Sequence, residues 1–333
     1  MKKTVLLFII FQLSIFLLQA QTSTDEKEQL KQINQELVTK FKAGKMDDAL
    51  SLAQKAVDLS LKIYGAESLE TAVSYKNLGI IFRVKKKYKE AIANLQKATE
   101  IYRLKPEQNA KSIAQTLDEL SLAFALNGDT KQAEVTYTLA LTTAEKAYGK
   151  ESKEILPFLK SMAEVYILVK KYDEAQAMFV RQYLTARKYF QPGSKELQEI
   201  EDSFDCFTYQ TFKMNEANER QKAFNEAIHP KQETVTNVSN DKSINGGVIN
   251  GKAKYLAVPA YPASAREKRA QGTVSVRVTI DEEGKVTEAK AICGDVELRA
   301  VSEEAARNSK FMPTLLSGKP VKVIGTIIYK FIP

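Results

Sequence analysis

Five short stretches of this sequence end on alanines spaced 42 residues apart: KMDDA at Ala49, KYKEA at Ala91, DTKQA at Ala133, KYDEA at Ala175 and KMNEA at Ala217. A fixed period of this size implies stacked units, because each is too small to bury its apolar face except against its neighbours. The flanking residues describe helical hairpins. Around Ala91 stand Tyr75, Leu78, Gly79, Phe82, Leu95 and Ala98; around Ala133, at the same offsets, stand Leu117, Leu120, Ser121, Phe124, Tyr137 and Ala140. Around Ala175 they are Leu159, Met162, Ala163, Tyr166, Phe179 and Gln182. Small residues let two helices approach closely, and large ones fill the gaps between hairpins. The first unit (Ile33, Glu36, Leu37, Lys40) and the last (Phe204, Asp205, Thr208) depart from the pattern, as expected of capping units with one face in solvent.

This pattern resembles the tetratricopeptide repeat (TPR), and the 42-residue period, with IYGAES and AYGKES 84 residues apart, resembles the longer variant found in kinesin light chains. The resemblance implies an all-α solenoid over residues 21–228 whose inner helices line a groove for extended peptides. By offset, the groove residues are Lys76, Ile80, Arg83, Asp118, Leu122, Ala125, Lys160, Glu164 and Ile167.

The chain of 333 residues is 44% apolar and 27% charged, with a formal net charge of +8. That composition suits soluble domains with real cores and excludes wholesale disorder. Residues 1–20 carry Lys2 and Lys3, an apolar run from Val5 to Leu18 and a small residue at Ala20. This is the layout of a secretory signal peptide, with cleavage before Gln21; an uncleaved anchor is the alternative. From Lys252 to the end there are 14 Lys and Arg against 9 Asp and Glu, so the basic balance sits in the carboxy-terminal part. In an exported protein such charge suits an acidic protein surface rather than nucleic acid. Cys206 and Cys293 are the two cysteines, and they read as two buried small hydrophobes rather than a disulfide.

GGVINGKA, from Gly246 to Ala253, comes close to the phosphate-cradling pattern GxxxxGK[ST]. A phosphate loop needs a buried strand before it, a helix after it and a hydroxyl for magnesium. Here a Thr, Asn and Ser-rich stretch precedes, Pro259 soon follows, and Ala253 replaces the hydroxyl. No nucleotide or other cofactor is expected. Residues 229–250 read as a linker.

The tail is better defined. Tyr261 and Pro262 open a short helix; Val274, Val276, Val278 and Ile280 then alternate with Ser275, Arg277 and Thr279, the signature of a half-buried strand. Asp281 to Gly284 make a turn, and Lys285 to Ile292 return as the second arm of a hairpin. Leu298, Val301, Ala305 and Ser309 share one face of a helix, and an apolar last strand follows from about Val321 to Phe331.

The YP opening, the G-x-V-x-V strand, the DxxG turn, Phe311 and Pro313 after the helix, and the apolar last strand together resemble the carboxy-terminal domain of TonB. The resemblance implies a small α+β domain over residues 251–333 with a three-stranded antiparallel sheet. In that family the last strand pairs with an extended segment of an outer-membrane transporter. Carried over, the partner-binding edge consists of Val321, Val323, Ile324, Thr326, Ile328 and Lys330, on the side of the last strand away from the Gly272–Ile280 strand. The family's force transmitters keep an anchor with Ser and His four residues apart and a long Pro-rich spacer; here Leu18 stands four residues after Ser14, and a repeat array replaces the spacer.

The expected fold is thus a multidomain α+β chain, a TPR solenoid followed by a TonB-like domain. With one histidine and no nucleophile–base pair, metal cluster or carboxylate pair in a recognisable motif, no enzyme activity is expected. The expected role is that of a periplasmic adaptor binding envelope proteins, an outer-membrane receptor or transporter among them. The alternative is an inner-membrane-anchored, TonB-type energy transducer, which alone would bring membrane contact.

Overall fold

The computed structural model describes residues 24–229 and 243–332. The proposed signal peptide lies outside them, as does most of the proposed linker. The chain divides between Ala175 and Gln176 into two compact units.

The first unit is helical: α1 (24–42), α2 (Met46–Tyr64), α3 (Leu69–Val84), α4 (Tyr88–Arg103), α5 (Pro106–Asn127), α6 (Thr130–Tyr148), α7 (Leu156–Leu168) and the start of α8 (Tyr172–Ala186). The repeat alanines prove to be crossing points, since Ala49, Ala91, Ala133 and Ala175 are all 0% exposed. Gly79 serves the same purpose opposite Ala91. A Cβ built there would meet Leu95 Cγ at 2.7 Å, so α3 can lie this close to α4 only without a side chain. Leu78, Ile81, Phe82, Leu95, Leu117 and Leu120 fill the core between the hairpins.

The register extends to the turns. Gly44, Lys86, Gly128 and Lys170, each 42 residues after the last, all take a left-handed backbone between the two helices of a hairpin. In the fifth unit the equivalent residue, Phe212, is extended at φ −113°, so this last hairpin turns differently.

The second unit holds the rest of α8, α9 (Lys195–Thr211), α10 (Met214–Ile228) and the sheet domain. Phe179, Phe204 and Phe224 bind the three helices together, the Phe204 and Phe224 rings stacking at 4.1 Å. After α10 come β1 (Ser243–Val248), β2 (Ala253–Tyr255), α11 (Ala263–Glu267), β3 (Gly272–Ile280), β4 (Val286–Cys293), α12 (Val296–Asn308), β5 (Lys310–Phe311), β6 (Thr314–Leu316) and β7 (Lys319–Phe331). The main sheet has the order β1-β7-β3-β4, with β6 also pairing to β7, while β2 and β5 form a separate ribbon. β3 and β7 are antiparallel from Gly272 opposite Phe331 to Ile280 opposite Val323.

One face of the sheet behaves as its alternation predicts. Val274, Val276, Val278 and Ile280 are at most 4% exposed and pack with Leu298, Ala305 and Ala306 of α12. The other face does not. Ser275 is fully buried and Arg277 largely so, because α9 lies across them. For the same reason Asp205 and Thr208, expected to face solvent on a capping unit, are buried. The cysteines also differ from expectation: Cys206 of α9 and Cys293 of β4 form a disulfide, their Cα atoms 5.2 Å apart. They fell in separate domains by sequence, but α9 brings them face to face. A further difference is β1. Residues 243–248 of the proposed linker form a strand, so the sheet exceeds the expected three strands and gains a parallel edge.

Gly284 closes the β3–β4 turn at φ +84°, where a Cβ would sit 2.1 Å from the Phe311 carbonyl oxygen. Gly284→Ala is therefore expected to destabilise the sheet domain by more than about 1 kcal/mol, read as a lowered melting temperature. Lys86→Gly, by contrast, relieves a left-handed lysine at φ 61°. It is expected to stabilise the first unit by roughly 0.5–1 kcal/mol in urea titration. An unchanged midpoint would show that the turn carries no strain.

Candidate functional site

Two surfaces gather the residues singled out by sequence, one in each unit. In the first unit α3, α5 and α7, the first helices of successive hairpins, lie side by side. Arg83 Nε donates to Glu119 Oε2 at 2.8 Å, joining α3 to α5, and Ser161 Oγ donates to Asp118 Oδ2 at 3.3 Å, joining α5 to α7. Lys160 and Glu164 are exposed on α7, while Lys76, Ile80, Leu122, Ala125 and Ile167 are half-buried. The groove residues thus share a face, although Arg83 already spends its charge on Glu119.

Asp118 is the unusual member. Its Oδ1 is buried with no hydrogen-bond partner among the described residues. Burial, reinforced by the negative charges of Glu119 and Glu164, lifts its pKa to about 7, against smaller opposing effects from Tyr137 and Ser161. Burial likewise lowers the pKa of Lys76, which Glu119 partly offsets. At neutral pH the buried Asp118 carboxyl is therefore poised between its two forms.

The groove also runs further than the sequence reading took it. A cleft of about 610 Å³ lies between α1 and α3, with Leu30, Val38, Tyr64 and Val73 as its apolar walls and Asn34 and Lys31 among its polar ones. The signal was in the register. Lys31, Asn34 and Val38 stand 42 residues before Val73, Lys76 and Ile80, but the first unit departs from the repeat pattern around them.

In the second unit, β7 presents its backbone on both sides. Val321 and Val323 are buried, and Val323 packs in the core with Ile327, Tyr329 and Phe331, so its side chain is not available to a partner. Thr326 is also buried, its hydroxyl 3.3 Å from Asp205 Oδ2; Ile324 and Ile328 are half-buried, and Lys330 is exposed. The side of β7 away from β3, expected to be an open edge, carries β1 in parallel, from Ser243 opposite Lys322 to Val248 opposite Thr326. Gly246 to Ala253 thus form the end of β1, a single 3₁₀ turn (Asn250–Lys252) and the start of β2. No helix begins there whose amino end could face a phosphate.

The residues that sequence reasoning missed lie between α9 and the sheet. Arg277 reaches Asp202 at 2.5 Å and Asp205 at 2.8 Å, and Gln221 donates to Asp205 at 2.6 Å. Burial opposes the guanidinium charge, yet Asp205 and Asp202 outweigh it and raise its pKa. Burial raises that of Asp205 in spite of Arg277. The cluster is structural in kind, with all its groups turned on one another. No group of three or more His, Cys, Asp and Glu able to hold a metal ion occurs among the described residues. Nor is any described helix long and apolar enough to cross a membrane.

Two stretches of the chain match known families. Residues 38–103 match the tetratricopeptide repeat family, and residues 257–333 match the carboxy-terminal domain of the Gram-negative bacterial TonB protein. No curated protein matches the sequence. Among solved structures, the kinesin light chain from Podosopora anserina with nearly identical TPR-like repeats superposes with a TM-score of 0.50 at 16% identity, covering 60% of this chain and 94% of that one. BtubC (BKLC) from P. vanneervenii gives 0.48 at 16% identity, covering 62% of this chain and 82% of that one. At such identity the likeness concerns the fold alone. TPR and TonB-like domains are non-catalytic kinds of fold, and both point to protein binding in an envelope protein.

The raised pKa of Asp118 sets a pH dependence. A carboxyl whose folded pKa lies above its unfolded value supports the fold fully below about pH 4 and loses that support as pH rises through about 7. Between pH 5 and pH 8 the wild-type chain is therefore expected to lose on the order of 2 kcal/mol that Asp118→Asn does not lose. Urea melts of both proteins at the two pH values test this, and parallel curves would refute it.

Proposed function

We propose that this chain is a non-enzymatic adaptor of the Gram-negative envelope, exported to the periplasm, in which a peptide-binding helical groove is joined to a TonB-like module that captures extended protein segments by strand addition. The observation that carries this reading is the outer side of β7. Its amides and carbonyls point away from β3 and accept a parallel strand of main chain, as β1 demonstrates. Strand addition draws affinity from main-chain hydrogen bonds, each worth roughly 0.5–1.5 kcal/mol net, and so makes light demands on side chains. That suits an edge where Val323 and Thr326 are already committed inward. The basic balance of the carboxy-terminal part favours an acidic partner surface. An outer-membrane receptor or transporter is the partner class that the TonB-like domain suggests.

The disulfide and the Arg277 cluster favour a second reading. Tension on β7 would pass through β3 and β4 into α9 without relying on weak contacts, as a force transducer requires.

Two measurements test these readings. A photoreactive amino acid at Lys330, beside the edge, is expected to yield covalent adducts with envelope proteins in living cells, whereas one at Glu282, on the β3–β4 turn, is not. Adducts at neither position, or equally at both, would refute partner capture at this edge. Amino-terminal sequencing of the exported protein then separates the two roles: a chain beginning at Gln21 is expected of the adaptor, and an intact Met1 would replace it with the anchored transducer.

A further inference from the structure

The two edges of the main sheet are closed in different ways. On β4, side chains of α12 do the closing: Glu303 Oε1 accepts the Ala291 amide at 2.8 Å, Arg307 donates to the Ala289 carbonyl at 3.1 Å, and the two side chains pair with each other. These clamps belong to a helix packed into the core. On β7 the closure comes from a short segment of main chain. β1 covers Lys322 to Thr326, and the Ile249 amide donates to the Thr326 carbonyl. Asn250 completes the series. Its Oδ1 accepts the Ile328 amide at 2.8 Å and its Nδ2 donates to the Ile328 carbonyl at 2.7 Å, so one side chain imitates the next residue of a strand.

β1 itself is built for weak attachment, and the firm anchor of the segment is Ile249, buried in the core just beyond the strand. The strand is six residues long, two of them glycine, and its register slips between Asn245 and Gly247. It is also parallel, the less stable pairing per residue. Glycine in a strand adds backbone entropy to lose and no side chain to pack.

We propose that residues Ser243–Asn250 are a built-in occupant of the partner site: a partner's extended segment binds β7 by displacing them, in the same parallel direction, and clamps Ile328 with an Asn or Gln just beyond its strand. This rests on the strand-addition reading above. The near-match to a phosphate loop thereby acquires a role, since Gly246, Gly247 and Asn250 belong to an internal substitute for the ligand.

The test uses the full, oxidised chain and a fluorescein-labelled synthetic peptide with the sequence of residues 243–250, SINGGVIN. One variant combines Ile244→Pro, Asn245→Pro and Asn250→Ala. Neighbouring amides in a strand face opposite ways, so one of the two prolines removes a donor to β7 whichever faces it. A second variant carries Asn250→Ala alone and leaves the β1 backbone untouched. If β1 holds the site closed for most of the time, the triple variant is expected to bind the peptide at least about tenfold more tightly than wild type, and the single variant by an intermediate factor. Amide hydrogen exchange at Ile328 is expected to quicken in both variants and to slow again with peptide. Equal affinity in all three proteins would overturn self-occupation while leaving strand addition standing. No binding to variants that keep the Cys206–Cys293 bond and a cooperative melt would overturn both. A wild-type dimer that the triple variant converts to monomer would also overturn the proposal, because the covering strand would then come from a second copy.

Discussion

Arg277 carries its charge into a place that would not tolerate it alone. Burying a guanidinium is costly by several kcal/mol unless carboxylates meet it with good geometry. Here Asp205, hydrogen-bonded at 2.8 Å, and Asp202, an ion pair at 2.5 Å, supply the carboxylates from one turn of α9, with Glu201 further off at 3.9 Å. The dependence is mutual, since without Arg277 the aspartates would be buried acids with little to neutralise them. Lys290 stands 3.7 Å from Asp202 but is mostly solvent-exposed and screened accordingly. The pairing explains why a helix with the repeat's spacing lies on a β-sheet, why the outer face of β3 is not a solvent face, and how Cys206 comes within bonding reach of Cys293. Polar pairing sets the register of α9 on the sheet, and the disulfide makes it covalent.

What the sequence disclosed and what it hid divide along a physical line. The 42-residue period, the alanines at the crossings, the alternation of β3 and the apolar face of α12 are local patterns, in which each residue's environment is set by near neighbours and recurs at a helical or strand period. Those were legible, and so was the face shared by α3, α5 and α7, because its positions follow from the period. Arg277 gave no such signal. In alternation with Val276 and Val278 it reads as an ordinary solvent-facing residue, and only a partner 72 positions earlier in the chain changes that. Asp205 misled in the complementary way, since a charge at a small-residue position of the last repeat suits a solvent-facing cap equally well. The disulfide spans 87 residues, and nothing in the spacing of two cysteines predicts their meeting. β1 was hidden by composition, because a Gly- and Asn-containing stretch reads as a connection until an edge is there to receive it.

The two edges of the sheet also show two ways of preventing unwanted association. An exposed edge is a template for any passing strand. On β4 the protection comes from charged side chains anchored on α12. On β7 it comes from backbone, the same material a partner would supply. The two differ in reversibility: Glu303 and Arg307 are held by a helix whose Leu298 and Ala306 are fully buried, whereas the segment that covers β7 has its buried core anchor, Ile249, just beyond β1.

The covalent connections of β1 have a quantitative consequence. It enters the chain after α10 and continues through Asn250 into β2, and both ends of this stretch lie inside the loop closed by Cys206 and Cys293. When it leaves β7 it is not diluted. It remains beside the edge at an effective concentration of the order of millimolar, the value typical of short tethers. An incoming segment therefore competes with a ligand that never diffuses away. Weak, abundant peptides are outcompeted at ordinary concentrations, and only a segment that binds more tightly than β1, or is itself tethered nearby, gains the site. The edge thus acts as a threshold whose height is set by six residues of the chain itself.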